Sequence, residues 1–237
     1  MPKKPIKSVA DAYARRNKIK IAKKLTNISI YTASDVPVSV FMAGSPGAGK
    51  TEFSKRLIKI IEKDRPKVVR IDGDEIREFL PGYTGKNSKI FQGAISLIVD
   101  KMHDLVLHRK QNFILDGTFW RYEKAVQNIE RSLKKNRLVY IFYIFQRPDL
   151  AWNFTKKREL LEGRNIPKSA FINQFFGAKN TVNKIRLKYG KDVTIFLVEK
   201  NYEENSIKKL VDISIGDNID KHIPNVYTAT SLRKSLR

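Results

Sequence analysis

Residues 44–51 read Gly44-Ser45-Pro46-Gly47-Ala48-Gly49-Lys50-Thr51, and they match the spacing G-x-x-x-x-G-K-[ST] at every fixed position. Immediately upstream runs the apolar, β-rich Val38-Ser-Val-Phe-Met-Ala43, and a helix-forming stretch, Glu52–Glu62, follows. A strand, a glycine-rich loop and a helix in that order make an anion-binding nest. The glycines let the backbone curl until successive N–H groups point inward. The helix adds the positive end of its dipole. In this arrangement Lys50 would reach the outer phosphates of a bound nucleotide, and the Thr51 hydroxyl would hold Mg²⁺.

Beyond the loop, helical and extended patterns alternate. Strands are expected at Val68–Ile71, Phe113–Leu115, Leu138–Phe145 and Val193–Val198. Helices are expected at Lys89–Lys110, Glu123–Lys135, Leu150–Leu161 and Lys168–Tyr189. Strands separated by helices of this length imply βαβ crossovers. Nearly continuous apolar strands imply a sheet covered on both faces. The fold class is therefore α/β: a P-loop NTPase-type three-layer fold with a mainly parallel sheet flanked by helices. Three segments are expected: a basic helical arm over 1–35, a P-loop kinase domain over 36–219, and a basic C-terminal tail over 220–237 without clear apolar periodicity. Phe171, Phe175 and Phe176 lie at helical spacing and read as core.

The 237 residues include 47 Lys plus Arg against 24 Asp plus Glu, a formal net charge of +23 that calls for an anionic partner. A hydrophobic fraction of 41% is enough for a sizeable core and excludes disorder throughout. There is no cysteine, which rules out disulfides, thiolate nucleophiles and cysteine zinc sites. The longest mostly apolar run, Leu138–Phe145, falls far short of the ~20 residues of a spanning helix. No secretory leader is visible, so the expected location is the cytoplasm. The basic excess is densest before residue 36, where Lys3, Lys4, Lys7, Arg15, Arg16, Lys18, Lys20, Lys23 and Lys24 meet only Asp11 and Asp35.

Two strands end in carboxylates. Ile71-Asp72-Gly73-Asp74 and Leu115-Asp116-Gly117-Thr118 both fall at the carboxyl edge of the sheet, where ligands bind in open α/β folds. One carboxylate beside a γ-phosphate could take the proton of an acceptor hydroxyl, and Asp116 could hold Mg²⁺ or its waters. The competing readings are a helix cap for Asp72 or Asp74 and an Asp-Gly turn at Asp116. An Asn-Lys-x-Asp element is missing, which argues against a GTPase and for a kinase. Arg158 and the break Gly163-Arg164-Asn165-Ile166-Pro167 follow. Arginines there could close over a triphosphate, although a single arginine in so basic a chain is ordinarily a solvated surface charge.

Across residues 36–190 the sequence resembles the zeta toxin family of P-loop kinases, the toxin halves of bacterial toxin–antitoxin pairs. The resemblance rests on Gly44–Thr51, Ile71-Asp-Gly-Asp74-Glu-Ile-Arg77, Leu115-Asp-Gly-Thr118, Arg158, Gly163-Arg164-Asn-Ile-Pro167 and the spacing of Asp100 and Asp116. It implies ATP- and Mg²⁺-dependent phosphorylation of the 3′-hydroxyl of the amino sugar in UDP-N-acetylglucosamine, which starves cell-wall synthesis. By position it implies ATP and Mg²⁺ contacts for Lys50 and Thr51, a general base in Asp74, substrate contacts for Asp100 and Thr118, and a phosphate clamp in Arg158 and Arg164. Two departures fall on the acceptor side. Position 100 is Asp where the family often has Glu. Phe119-Trp120 replaces the family's arginine after Thr118, which leaves Arg121 to take its place or Trp120 to stack on a base or sugar.

The resemblance also implies a small antitoxin as partner, and the charge of the basic arm makes that arm its expected docking surface. A polynucleotide kinase, or another small-molecule P-loop kinase, is the alternative. Nucleic acid is not the expected partner, because no recognisable nucleic-acid module accompanies the charge.

Overall fold

The computed structural model describes residues 5–201, 206–223 and 227–236. In chain order the elements are α1 (Ile6–Leu25), β1 (Val38–Ala43), α2 (Lys50–Ile61), β2 (Val68–Asp72), α3 (Gly73–Ile76), α4 (Gln92–His108), β3 (Asn112–Asp116), α5 (Tyr122–Leu133), β4 (Leu138–Phe145), α6 (Pro148–Glu162), α7 (Lys168–Tyr189), β5 (Thr194–Asn201), β6 (Ser206–Asp212) and α8 (Ala229–Ser235). The six strands form one sheet in the order β2-β3-β1-β4-β5-β6. All neighbours are parallel except β6, which returns antiparallel to β5. This is the α/β, mainly parallel architecture expected from the alternating pattern.

The central strand shows why the sheet needs cover on both sides. Along β1, Phe41 and Ala43 join a core with Ile71, Ile98, Met102, Phe113 and Tyr143, while Val38, Val40 and Met42 join another with Phe53, Ile114 and Ile144. Successive side chains point to opposite faces, so six consecutive buried residues require a layer on each. Helices α4 and α7 contribute Ile98, Met102, Phe171 and Phe175 to the larger layer, and α2 contributes Phe53 to the smaller one. Each such side chain, fully buried, is worth about 1.5–3 kcal/mol. The aromatic residues at helical spacing on α7 are core: Phe171 and Phe175 are buried and Phe176 packs against them.

The first segment carries a continuous helix over Ile6–Leu25. This helix of 20 residues is docked on α4 through Ala10, Ala14, Ile21 and Ala22. Small residues allow the close approach. A β-carbon on Gly93 of α4 would lie only 3.0 Å from Asp11 Oδ1. Lys7, Arg15, Arg16, Lys20, Lys23 and Lys24 remain on the exposed side. After residue 220, where the sequence reads as a tail, Thr228 and Ser231 form a capping box that starts α8. Leu232 and Leu236 of this segment are buried, and α8 packs against α7.

Candidate active site

Parallel strands bring their carboxyl ends to one edge, and the candidate site lies along it. The loop after β1 curls tightly because three of its residues are glycine. Gly44, Gly47 and Gly49 all have positive φ. A β-carbon at Gly44 would strike the carbonyl oxygen of Ile144, and one at Gly47 would strike that of Ala151 at the start of α6. Gly49 caps α2 in the left-handed region. Lys50 folds back over the loop and donates to the carbonyls of Ser45 (2.6 Å) and Gly44 (3.1 Å). Burial lowers its pKa to about 8, helped by Arg158 and Arg164 and opposed by Asp116 and Asp74. Those four side chains thus share one electrostatic neighbourhood with the loop lysine.

Asp72 and Asp74 divide the roles left open for them. Asp72 is the cap: its Oδ1 accepts from the Asp74 N–H at 2.9 Å and begins α3. Burial pushes its pKa up to about 6, with Asp74 and Asp116 adding to the rise against Arg70. Asp74 points instead into a cage of guanidinium groups. Its Oδ2 accepts from Arg164 Nη1 at 2.6 Å and from Arg158 Nη2 at 3.0 Å, and its Oδ1 lies 3.0 Å from Arg77 Nη1. Burial works against its charge, but Arg164, Arg77 and Arg158 together outweigh burial and hold its pKa below the ordinary carboxylate value.

Asp116 is paired with Asp72 across the β2–β3 ladder. Its Oδ2 accepts from Arg70 Nη2 at 2.6 Å and from Ser54 Oγ at 3.0 Å. The Ser54 oxygen also lies 2.9 Å from the carbonyl of Thr51, which links the end of β3 to the first turn of α2. Among the described residues no three His, Cys, Asp or Glu side chains cluster as a metal site. Mg²⁺ held largely by phosphates and water needs only one or two carboxylates. The Thr51 hydroxyl and the Asp116 carboxylate, on segments joined through Ser54, are oxygen donors of the kind a hard cation takes.

Two arginines escaped the sequence reading. Arg70, in the middle of β2, bonds Asp72 (2.5 Å), Asp116, Glu75 and Ser54 from a side chain only 9% exposed. Its signal was an arginine inside an otherwise apolar strand. Arg77 is buried, touches Asp74 and lies over the Tyr83 ring; only its place in the Asp74 block hinted at it.

The remaining candidates have other partners among the described residues. Asp100, on α4, pairs with Lys124 of α5 at 2.8 Å. The Thr118 carbonyl accepts from the Gly44 N–H at 3.2 Å, so this residue abuts the phosphate loop. Trp120 packs against Gly177 of α7 and accepts from Thr181 through its carbonyl. Arg121 stacks on the indole of Trp120 at 5.0 Å. Phe119, just before them, has a positive φ of 59°, uncommon outside glycine.

A family model described as zeta toxin matches residues 21–211. The chain belongs to the zeta toxin family. Among solved structures, this zeta toxin chain is similar to one from the PezAT chromosomal toxin–antitoxin system of Streptococcus pneumoniae, at 16% identity and a TM-score of 0.64, covering 98% of this chain and 90% of that one. It is also similar to a chain of the AvrRxo1-ORF1:AvrRxo1-ORF2 structure with sulphate ions, at 13% identity and TM-score 0.60, covering 97% and 71%. The same pair solved with ATP gives 14% identity and TM-score 0.55, covering 97% and 70%. At these identities the likeness is one of fold. No helix among the described residues is long and apolar enough to cross a membrane.

Proposed function

We propose that this zeta toxin is an ATP-dependent kinase that phosphorylates the 3′-hydroxyl of the amino sugar of UDP-N-acetylglucosamine, blocks cell-wall synthesis, and is held in check by a small antitoxin. The observation that carries the reading is the Asp74 carboxylate, ionised and ringed by Arg77, Arg158 and Arg164 beside the loop lysine. Family membership and a solved fold-mate from a toxin–antitoxin system support it.

In the proposed reaction Asp74 accepts the proton of the acceptor hydroxyl. The freed oxygen attacks the γ-phosphorus, and the bond to the β,γ-bridging oxygen breaks to release ADP. Arg158 and Arg164 already reach the atom that would hold the hydroxyl, so their charge falls where the transferring phosphoryl must pass. Lys50 neutralises the outer phosphates, and Thr51 and Asp116 would hold Mg²⁺. When bound, that ion would offset the charge building on the β- and γ-oxygens. Thr118, Trp120, Arg121 and Asp100 form the proposed acceptor side. The exposed basic face of α1 is the proposed antitoxin surface.

The test is a mass-spectrometric screen with purified, antitoxin-free protein, ATP and Mg²⁺ against sugar nucleotides and RNA and DNA ends. A singly phosphorylated UDP-N-acetylglucosamine is expected. Product only on polynucleotide ends would replace this reading with the alternative kinase.

A further inference from the structure

The cage around Asp74 lies on the β2–β3 side of the phosphate loop. The sheet order β2-β3-β1-β4-β5-β6 puts β4 and β5 on the other side. There the end of β5 brings in a cation that the phosphate-transfer chemistry does not use. A β-carbon built on Gly49 would lie 2.7 Å from Lys200 Nζ and 3.0 Å from its Cδ. The lysine therefore fills the space that the glycine leaves open at the mouth of α2. We propose that Lys200 is a nucleotide-binding residue, closing the far wall of the phosphate loop and pairing with the inner phosphates of ATP.

Three further observations support this role. The β5–β6 ladder breaks register between Glu199 and Lys200, so that Glu199 faces Lys209 while Lys200 faces Ile207. Such irregularities re-aim side chains next to functional sites. In a chain rich in ion pairs, no hydrogen bond or salt bridge holds the Lys200 ammonium among the described residues. It is also partly buried, and burial lowers its pKa, with Arg56 adding to the fall and Glu52 opposing it. A half-buried cation that no hydrogen bond or salt bridge holds among the described residues, set against the backbone of a phosphate nest, is poised for an anion.

Topology decides which part of the anion it meets. If the γ-phosphate faces Asp74, Arg158 and Arg164, the triphosphate runs back across the loop and the nucleoside leaves toward β4 and β5. Loop N–H groups cradle the α- and β-phosphates in this class of nest. Lys200, at the β5 edge, then meets the inner phosphates.

This inference rests on the ATP reading of the loop, and the experiment separates the two. Equilibrium binding of ATP and of ADP is measured for the wild-type chain and for Lys50→Ala, Lys200→Gln and Lys200→Arg, with thermal melting as the control for folding. Loss of a charge-assisted contact predicts about a tenfold rise in Kd for Lys200→Gln. ADP should weaken by the same factor as ATP, and Lys200→Arg should recover most of the loss. Unchanged affinity in a folded Lys200→Gln, with Lys50→Ala impaired, would overturn the Lys200 proposal alone. A loss confined to ATP would put the ammonium on the γ-phosphate and also overturn it. A wild-type chain that binds neither nucleotide would remove the ATP reading and this inference together.

Discussion

Arg164 Nη1 stands 2.6 Å from Asp74 Oδ2 across 90 residues of sequence, and the loop carrying Arg164 is thereby tied to the end of β2. The ion pair gives the two residues distinct kinetic signatures. Asp74→Asn should abolish turnover while ATP binding persists. Arg164→Ala should lower kcat by about 10²–10³, as expected for removal of one transition-state donor. Single-turnover assays alongside ATP titrations distinguish these effects. Near-normal turnover in Asp74→Asn would exclude Asp74 as the base.

The same pair fixes a pH dependence. The folded-state pKa of Asp74 is depressed, so its ionised form and the stability it brings persist as pH falls from neutrality and are lost only below the ordinary carboxylate value. The acid limb of kcat/KM should therefore lie well below neutral pH. Removing Arg164 takes away the largest opposing charge and leaves burial less contested, so the limb should move up in pH. A limb at the same position in wild type and Arg164→Ala would separate it from Asp74.

Arg70 joins two buried carboxylates that would otherwise repel. Its Nη2 reaches Asp72 at 2.5 Å and Asp116 at 2.6 Å. Arg70→Ala leaves both without their counter-ion and should cost about 3–5 kcal/mol, the range for breaking a buried ion pair from one side. Arg70→Lys should recover only part of this, because one ammonium cannot reproduce the fork. Denaturant melts of both variants measure the difference. Equal stability of Arg70→Ala and wild type would show that the ion-pair network contributes nothing net.

The first helix makes a contrasting prediction. Ala14 is fully buried where α1 crosses α4. Ala14→Leu should overpack that contact and lower stability by about 1–3 kcal/mol. Lys20→Ala, on the exposed side, should leave stability within about 0.5 kcal/mol. Similar melting of both variants would mean that α1 is not held by its small-residue face.

What could be read from the residues follows from where the information sits. β4 was legible at both ends because Leu138–Phe145 is an unbroken apolar run, and the phosphate loop because its chemistry is contained in eight adjacent residues. β6 was missed. Its Ser206-Ile-Lys-Lys-Leu-Val-Asp212 is polar and largely exposed at the sheet edge, without the run that marks a doubly covered strand. Asp74 was marked by its place after an apolar strand, whereas Arg158 and Arg164 stood out only through family resemblance, since no local spacing joins residues 84 and 90 positions apart. Arg70 had no such help: its partner Asp116 lies 46 positions away, and an arginine in a strand carries no period of its own.

The contact between Gly47 and α6 has a geometric consequence. The phosphate loop rests on the Ala151 carbonyl, and Thr155 bonds that same carbonyl one turn later. Arg158 follows on the same helix. From Ala151 to Arg158 is two turns, about 10 Å of rise, which returns to nearly the same side of the cylinder. α6 therefore acts as a ruler with a fixed angular phase, setting how far from the loop and in which direction the guanidinium emerges. Inserting a single residue between these positions would lengthen the ruler by only about 1.5 Å but rotate Arg158 through about 100°. The guanidinium would then face away from Asp74, with every residue of the cage still present.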